Sequence, residues 1–368
     1  MIPIVISQSN LSLKNLHIEQ IETLIRTFLQ DKINTLQEGT FEHTAINWIE
    51  WNLLIILNGE VHQLRKIIDT FNKLIINNIH MISLTRNDYD SFSNVEELKE
   101  ICRENNIRGF SKKIKDELIS LICVSPIINN QMVDKIKFKI LEKKANDILK
   151  EVFENFYETE WDKINKYNRY DFVEKHNMKT CPYCNRGYIF IVDGKLRPEI
   201  DHFFPKSKYP YLAMSFYNLV PSCSQCNHTK KAKDTFEDNL LSPYEIDYNT
   251  FKFTYRLKNI NFYQIKKRQF NASLKSFDIE LKNTDIVKSD EYFKLTKLYE
   301  QHKDIVLELF IKRMEYPKSY IEDLKRNFHF TDDEIYRFLL CNYKKDEDLH
   351  KRPLSKLIKD ISEELKLL

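Results

Sequence analysis

The pattern of apolar and polar positions along this chain is mainly that of helices. Early in the sequence, apolar residues recur three and four positions apart at Ile18, Ile21, Leu24, Ile25 and Phe28, which places them on one helical face. Similar spacing continues over longer segments, which are residues 11–37, 44–76 (with Gly59 interrupting), 131–176 and 289–368. Residues 250–281 alternate instead, as strands do. The pattern predicts a mainly α protein with a small β segment in its second half.

Composition narrows the range of functions only slightly. Glycine contributes 5 of 368 residues, against a usual share of about 7%. So few positions with easy access to positive φ disfavour a turn-rich β fold and a glycine-rich phosphate loop. The net charge is only +3, so the whole-chain charge does not indicate a nucleic-acid partner, and basic patches have to be sought locally.

The chain lacks the apolar runs that membranes and secretion require. No run approaches the roughly 20 residues needed to span a bilayer, and the sequence MIPIVISQSN has neither the basic start nor the apolar stretch of a signal peptide. We therefore expect a cytoplasmic protein without membrane contact. In such a reducing compartment, cysteines are more often metal-bound or free than disulfide-bonded.

Four of the seven cysteines form two pairs, Cys181-Pro-Tyr-Cys184 and Cys223-Ser-Gln-Cys226. Two C-x-x-C knuckles in one short region predict a closed, structural Zn²⁺ site with four thiolate ligands. The first pair alone is also the active-site sequence of glutaredoxins, but that fold needs the motif early, opening a helix, and here about half the chain precedes it. The other cysteines are predicted to be small buried residues in helices: Cys102, Cys123 and Cys341.

A short helix–turn–helix is predicted near residues 94–123. Residues 93–96 have the pattern of a capping box, so the first helix should start near Asn94, and Ser111 should cap the second. The segment resembles a SAP-type DNA-binding motif in its helix lengths, its Gly-Phe-Ser-Lys-Lys turn and its leucine pattern. Its turn, residues 105–115, is basic, but the whole segment carries equal numbers of basic and acidic residues, so an ordinary helical hairpin is an equally good interpretation.

The region between and after the knuckles contains further chemistry-bearing residues in a defined order. Asp201-His202 comes first, Asn218 follows, and Asn227 stands directly after Cys226. The order C-x-x-C, Asp-His, Asn, C-x-x-C-Asn resembles the HNH nuclease motif of the ββα-metal type, in its zinc-bearing form. The resemblance covers about 55 residues. Large HNH proteins of this kind include bacterial anti-phage effectors of the Septu type.

The resemblance and the residue chemistry together imply a site for phosphodiester hydrolysis. His202 would be the general base that takes a proton from water, since imidazole is largely unprotonated at neutral pH. Asp201 and Asn227 would offer oxygen ligands to catalytic Mg²⁺ or Mn²⁺. Asn218 occupies the middle position of the family's motif. The resemblance therefore implies that Asn218 hydrogen-bonds the loop backbone and thereby orients His202.

Two neighbouring residues have roles that the sequence leaves open. In some members of the family the last motif position is histidine, so His228 could bind the catalytic metal in place of Asn227. Glu199 lies two residues before Asp201 on the same face of a strand. It could join the outer shell of the metal or be a surface carboxylate.

Local charge supports a nucleic-acid substrate. Residues 181–235 hold 8 basic and 4 acidic side chains. Four lysines are well placed to hold phosphates in backbone-directed, weakly sequence-specific contacts: Lys206, Lys208, Lys230 and Lys231. A solvated surface position remains the alternative for any single lysine among them.

The sequence thus predicts a mainly α protein with an embedded ββα-metal (HNH) nuclease domain. The predicted regions are an N-terminal helical domain with the SAP-like motif (1–130), a helical connector (131–180), the zinc-bound nuclease domain (181–240), and a C-terminal region of short strands followed by helices (241–368). The implied function is metal-dependent cleavage of DNA, with RNA left open, in anti-phage defence or mobile-element biology. A partner ATPase or another defence protein follows by analogy. The alternative is a zinc-dependent nucleic-acid-binding module without catalysis.

Overall fold

The chain forms two compact units in the computed structural model, and each is described by itself. The site unit comprises Met1–His17, Asp162–Pro205 and Tyr217–Leu368, and the helical unit comprises Ile18–Trp161 and Lys206–Phe216. The structure describes residues 1–5, 8–84, 95–104, 106–124, 130–165, 167–192, 198–231, 233–260, 262, 270–282 and 286–367. The division into four regions made from sequence stays a prediction.

Helices make up most of the described part of the helical unit. Their bounds are α1 Gln8–Thr35 (whose first residues belong to the site unit), α2 Phe41–Trp51, α3 Leu53–Asn58, α4 Val61–Asn78, α5 Val95–Glu104, α6 Lys115–Val124 and α7 Asn130–Asn155. The predicted break at Gly59 is confirmed, because α3 ends before it and α4 begins after it. A capping box between Glu60 and Gln63 starts α4.

Helices α5 and α6 form a hairpin with its own apolar core. Leu98 and Leu118 are fully buried in it, and Ile136 of α7 packs into the same cluster. The second helix begins at Lys115 and not at Ser111, which lies in the turn before it. The prediction that Ser111 caps this helix is therefore wrong. The capping residues 93–94 lie outside the described residues, and the likeness to a SAP motif stays a prediction.

The site unit combines short helices with small sheets. Its main elements are α8 Arg169–His176, β1 Glu199–His202, β2 Leu219–Ser222, α9 Ser224–Lys230, β3 Lys252–Leu257, α10 Phe270–Leu274, β4 Phe277–Lys282, α11 Val287–Phe293, α12 Leu295–Tyr299, α13 Lys303–Glu315, α14 Lys318–Phe328, α15 Asp332–Leu340 and α16 Ser355–Glu364. The predicted mainly helical class with a small β segment at 250–281 is confirmed, since β3 and β4 form an antiparallel pair there.

Strands β1 and β2 form a second antiparallel pair and lead directly into a helix. In their register Glu199 lies opposite Ser222 and His202 lies opposite Leu219. Cys223 is the only residue between β2 and α9. The chain therefore makes a strand–strand–helix module, in which both a strand and a helix carry residues singled out by the sequence.

Burial agrees with part of the predicted apolar face of the first helix, since Ile21 and Ile25 are fully buried but Leu24 and Phe28 are exposed. The aromatic residues Phe153, Trp161 and Tyr167 are fully buried. Cys102 is buried as predicted, but Cys341 is exposed at the end of α15, so that prediction is wrong for Cys341. No helix among the described residues is both long enough and apolar enough to cross a bilayer.

Candidate metal centre and candidate active site

The four paired cysteines come together at the base of the strand–strand–helix module. All four sulfur atoms lie within 4.8 Å of one another, and the Cys184 and Cys223 sulfurs are 3.9 Å apart. Zinc bound to four thiolates at about 2.3 Å in a tetrahedron separates the sulfurs by about 3.8 Å. The donor set and its spacing therefore fit a zinc ion.

The surroundings of these thiols explain why a cation suits them. Burial raises the pKa of the Cys181 thiol well above its usual value, whereas hydrogen bonding, first with Cys181, lowers the pKa of Cys184. Several thiolates this close together repel one another in a poorly hydrated place. A divalent cation removes that repulsion, so it would allow all four groups to ionise and would fix the two knuckles together.

A buried residue directly after the first knuckle, Asn185, anchors that knuckle to the surrounding structure by hydrogen bonds, and the sequence analysis did not single it out. Asn185 is fully buried and adopts a left-handed conformation with φ 49°, a backbone geometry that Asn tolerates better than most residues. Its side-chain NH₂ donates to the Thr180 hydroxyl at 3.0 Å, and its carbonyl oxygen accepts from the Ser355 hydroxyl at 3.0 Å. An Asn directly after a knuckle was the available signal for this role.

Asp201 is buried, 3% exposed, and both of its carboxylate oxygens are engaged. Tyr183, from the first knuckle, donates its hydroxyl to one oxygen at 2.6 Å, and the Lys230 ammonium of α9 donates to the other at 3.0 Å. Burial and then the Asp201 charge raise the pKa of Tyr183 well above its usual value, so the phenol keeps its proton and donates. We call Tyr183, Asp201 and Lys230 the internal clamp.

The internal clamp departs from two expectations drawn from sequence. Asp201 was expected to face a catalytic cation, but its oxygens are turned into the protein. Lys230 was expected to hold phosphate, but it is fully buried and also donates to the His202 carbonyl oxygen at 2.6 Å. The reason is geometric. Helix α9 covers the face of β1 that carries Asp201, so a lysine on the inner side of that helix contacts the carboxylate and is shielded from water.

A second cluster lies on the same strand and helix, one turn away. The Asn227 side-chain NH₂ donates to one Glu199 oxygen at 2.6 Å, and His228 Nε2 lies 3.4 Å from the other. The Glu199 and His228 side chains are 36% and 74% exposed, so solvent reaches this cluster. We call Glu199, Asn227 and His228 the open cluster. Carboxylate, amide and imidazole groups that converge in solvent suit a divalent cation better than the internal clamp does.

His202 and Asn218 lie where the two strands are joined. His202 is the last residue of β1 and is 8% exposed. Asn218 brackets Phe204, because its side-chain oxygen accepts from the Phe204 N–H at 2.6 Å and its NH₂ donates to the Phe204 carbonyl at 3.1 Å. These backbone hydrogen bonds fix the chain two residues after His202, and the role of Asn218 in orienting His202 stays a prediction.

The remaining predicted phosphate-binding lysines fall in different settings. Lys231 is exposed and ends α9 with a φ of 49°. Lys206 and Lys208 belong to the helical unit. Lys206 pairs there with Glu158 and lies 4.9 Å from the Tyr157 ring centroid, and Lys208 lies 5.7 Å from the ring centroid of Tyr209.

Comparisons with known proteins give two partial sequence similarities. The chain is 32% identical over 77 residues to the Septu protein PtuB of Bacillus thuringiensis, covering 21% of this chain and 28% of the relative. It is 32% identical over 91 residues to the protein ea31 of Escherichia phage lambda, covering 24% of this chain and 28% of the relative. The chain thus matches less than a third of the length of these curated relatives. No family profile and no solved structure matches it.

Proposed function

We propose that this protein is a metal-dependent endonuclease of the HNH, ββα-metal type that hydrolyses phosphodiester bonds in DNA. One observation carries the proposal: a strand–strand–helix module that contains the clustered cysteines brings Glu199, on the strand that ends in His202, together with Asn227 and His228 of α9. A protein that only binds nucleic acid has no need of a solvent-accessible carboxylate, amide and imidazole beside a strand that ends in histidine.

The open cluster is the proposed holder of the catalytic cation. Glu199 and Asn227 would supply oxygen ligands to Mg²⁺ or Mn²⁺, and His228 would stand beside them. When bound, such a cation supplies Lewis-acid stabilisation of the charge that develops on the phosphate and the leaving oxygen. The internal clamp leaves Asp201 out of the ligand set, which departs from the assignment made on sequence.

The other residues would orient the reacting groups and move a proton. One ring nitrogen of His202 would accept the proton of the attacking water. Asn218 would hold the loop after His202 through Phe204 and so limit movement of the imidazole. Lys230 would act through the backbone by holding the His202 carbonyl. Lys231 would contact phosphate from the end of α9, and Lys206 and Lys208 are further proposed phosphate contacts.

The biological setting that we propose is anti-phage defence. The partial similarity to a Septu protein supports a defence role, and a phage protein among the relatives supports a wider link to mobile elements. A partner ATPase, a cytoplasmic location and RNA as an additional substrate remain parts of this proposal. A zinc-dependent nucleic-acid-binding module without catalysis is the second candidate, favoured by the burial of Asp201 in the internal clamp.

Plasmid nicking in Mg²⁺ or Mn²⁺ tests the proposal. We expect His202→Ala to lower the nicking rate by about 10²–10⁴-fold, the usual contribution of a general base. His80→Ala, which removes an exposed histidine of the helical unit, is the matched control and should nick like the wild type. Equal nicking by wild type and His202→Ala would remove His202 from the mechanism. DNA binding without nicking, even with proteins encoded by neighbouring genes added, would favour the second candidate.

A further inference from the structure

An exposed aromatic pair lies on the hairpin that contains the first cysteine knuckle. Tyr188 and Phe190 are stacked with their ring centroids 4.5 Å apart and an interplanar angle of 23°. Their exposed fractions are 50% and 49%, whereas Ile189 between them is 4% exposed. This alternation keeps Ile189 in the core and turns both rings to solvent, where they form one stacked apolar surface.

The position of this hairpin connects it to the proposed active site. Its backbone is closed by hydrogen bonds from the Cys181 N–H to the Gly187 carbonyl at 3.0 Å and from the Ile189 N–H to the Lys179 carbonyl at 2.9 Å. At Gly187 a side-chain Cβ would lie 3.6 Å from the Cβ of Cys223. Cys223 is the residue directly before α9, the helix that carries Asn227 and His228 of the open cluster. The aromatic pair therefore starts one residue beyond the contact with that helix.

The charges of the hairpin favour an anionic occupant. Residues 178–192 contain two basic side chains, Lys179 and Arg186, and no acidic one. Lys179 is exposed, and Arg186 is partly exposed while its Nε donates to His302 at 3.0 Å. Stacked aromatic rings flanked by cations are the combination with which proteins hold unpaired nucleotides: the rings stack on bases and the cations attract phosphates.

We propose that Tyr188 and Phe190 form a stacking platform for unpaired bases of a single-stranded nucleic acid, with Lys179 and Arg186 beside its phosphates. This inference rests on the proposed function in taking a nucleic acid as the substrate, and it adds a preference for single-stranded or locally unpaired substrates. Duplex bases are already stacked on one another and cannot offer their faces to the rings.

Binding measured without cleavage tests the platform. The full chain, with no added divalent cation, is titrated into a fluorescein-labelled 20-nucleotide single strand of mixed sequence and into the matching duplex, with fluorescence anisotropy as the readout. We expect the double variant Tyr188→Ser, Phe190→Ser to bind the single strand about tenfold more weakly or worse. Its duplex affinity should change less than threefold.

A second stacked pair provides the matched control. Tyr316 and Tyr320 lie 5.4 Å apart at an interplanar angle of 26°, and Tyr316→Ser, Tyr320→Ser should bind like the wild type. Tyr188→Trp, Phe190→Trp should restore single-strand binding and show tryptophan quenching by the oligonucleotide. Zinc content and thermal unfolding of each variant check the fold, and the Trp pair tests the idea even where the Ser pair does not fold.

Three outcomes would overturn the platform: unchanged single-strand affinity of a folded Ser variant, equal losses for single strand and duplex, or no tryptophan quenching. Self-association of the wild type that the Ser variant abolishes, with unchanged DNA binding, would assign the rings to a protein interface instead. The result is separable from the proposed function. If nicking does not depend on His202 but the aromatic pair is needed for single-strand binding, only the proposed nuclease mechanism fails. If nicking depends on His202 but single-strand binding does not need the aromatic pair, only the platform fails.

Discussion

The internal clamp and the open cluster differ sharply although they share one strand and one helix. In each, a carboxylate of β1 meets a polar residue of α9: Asp201 meets Lys230, and Glu199 meets Asn227. The carboxylates are two residues apart on a strand, about 6.6 Å, and their partners are three apart on a helix, about 4.5 Å. The two pairs therefore lie almost side by side.

Their difference lies in exposure to water. The Lys230 and Asp201 side chains are 0% and 3% exposed, whereas Glu199 is 36% exposed. A buried carboxylate and ammonium lose their hydration and can tolerate this only while paired, so neither can exchange its partner freely for a ligand. The exposed carboxylate keeps that freedom. Two similar acids on one strand face thus lie in different surroundings, one buried and paired and one partly open to solvent.

The largest effect is expected from loss of the thiolate cluster, on which both pairs depend. Purified protein should contain about one zinc per chain. Cys184→Ser should contain no zinc, and its site unit should no longer unfold in a cooperative transition, because structural zinc contributes on the order of 10 kcal/mol to folding. Elemental analysis and thermal denaturation measure both. Cys341→Ser, at an exposed cysteine outside the cluster, should leave both unchanged. Zinc-free wild type with the same unfolding transition would contradict the assignment.

The next effect distinguishes the internal clamp from a surface ion pair. Lys230→Met should lower the free energy of unfolding by about 3–5 kcal/mol, because it leaves the Asp201 charge buried and unpaired. Lys231→Met, at the exposed neighbour, should change it by less than about 0.5 kcal/mol. Urea denaturation provides the values. Adding Asp201→Asn to Lys230→Met should recover part of the loss, and equal losses for Lys230→Met and Lys231→Met would refute the clamp.

A pH effect is expected from the opposite strand, where β2 also depends on buried polar contacts. His176 Nε2 lies 2.9 Å from the Tyr244 hydroxyl, which donates to the Leu219 carbonyl of β2. Burial lowers the pKa of His176 to about 4, from about 6.5 in the unfolded chain. The unfolded state therefore takes up the proton first, and stability should fall by about 3 kcal/mol as pH drops from about 6.5 to about 4, and not above that window.

Chemical denaturation across this pH range measures the effect of His176. In His176→Gln the part of the acid destabilisation due to this group should disappear, whereas His80→Gln, at an exposed histidine, should keep the wild-type profile. Identical profiles for wild type and His176→Gln would show that the native state protonates His176 without penalty.

The smallest effect concerns ligand binding at the open cluster. Glu199→Gln should weaken binding of Mn²⁺ about tenfold or more, because it removes the charged oxygen ligand. Mn²⁺ electron paramagnetic resonance titration measures this without reference to nicking. Glu291→Gln, at an exposed carboxylate of α11, should bind Mn²⁺ as the wild type does. If Asp201→Asn, and not Glu199→Gln, abolished Mn²⁺ binding, the roles assigned to the two acids would have to be exchanged.

The sequence by itself determined the features that depend on local spacing. Helical periodicity identified the main helices, and Gly59 marked a real break between two of them. The two C-x-x-C pairs identified the cysteine cluster, because two such pairs, each with its thiols three residues apart on a tight turn, have few other uses together. Where the pattern carried little information, as at Ser111, the prediction failed.

Only the tertiary structure decided which polar groups face water. The sequence places Glu199 and Asp201 on one strand face and Lys230 and Lys231 side by side in the chain, but it does not tell which of them is buried. Their burial depends on how α9 lies across β1, and contacts such as that of Lys230 with the His202 carbonyl, 28 residues apart in sequence, hold the two elements together. A local pattern can assign a residue to a face of its own element, but the dielectric around it is set by what packs onto that face.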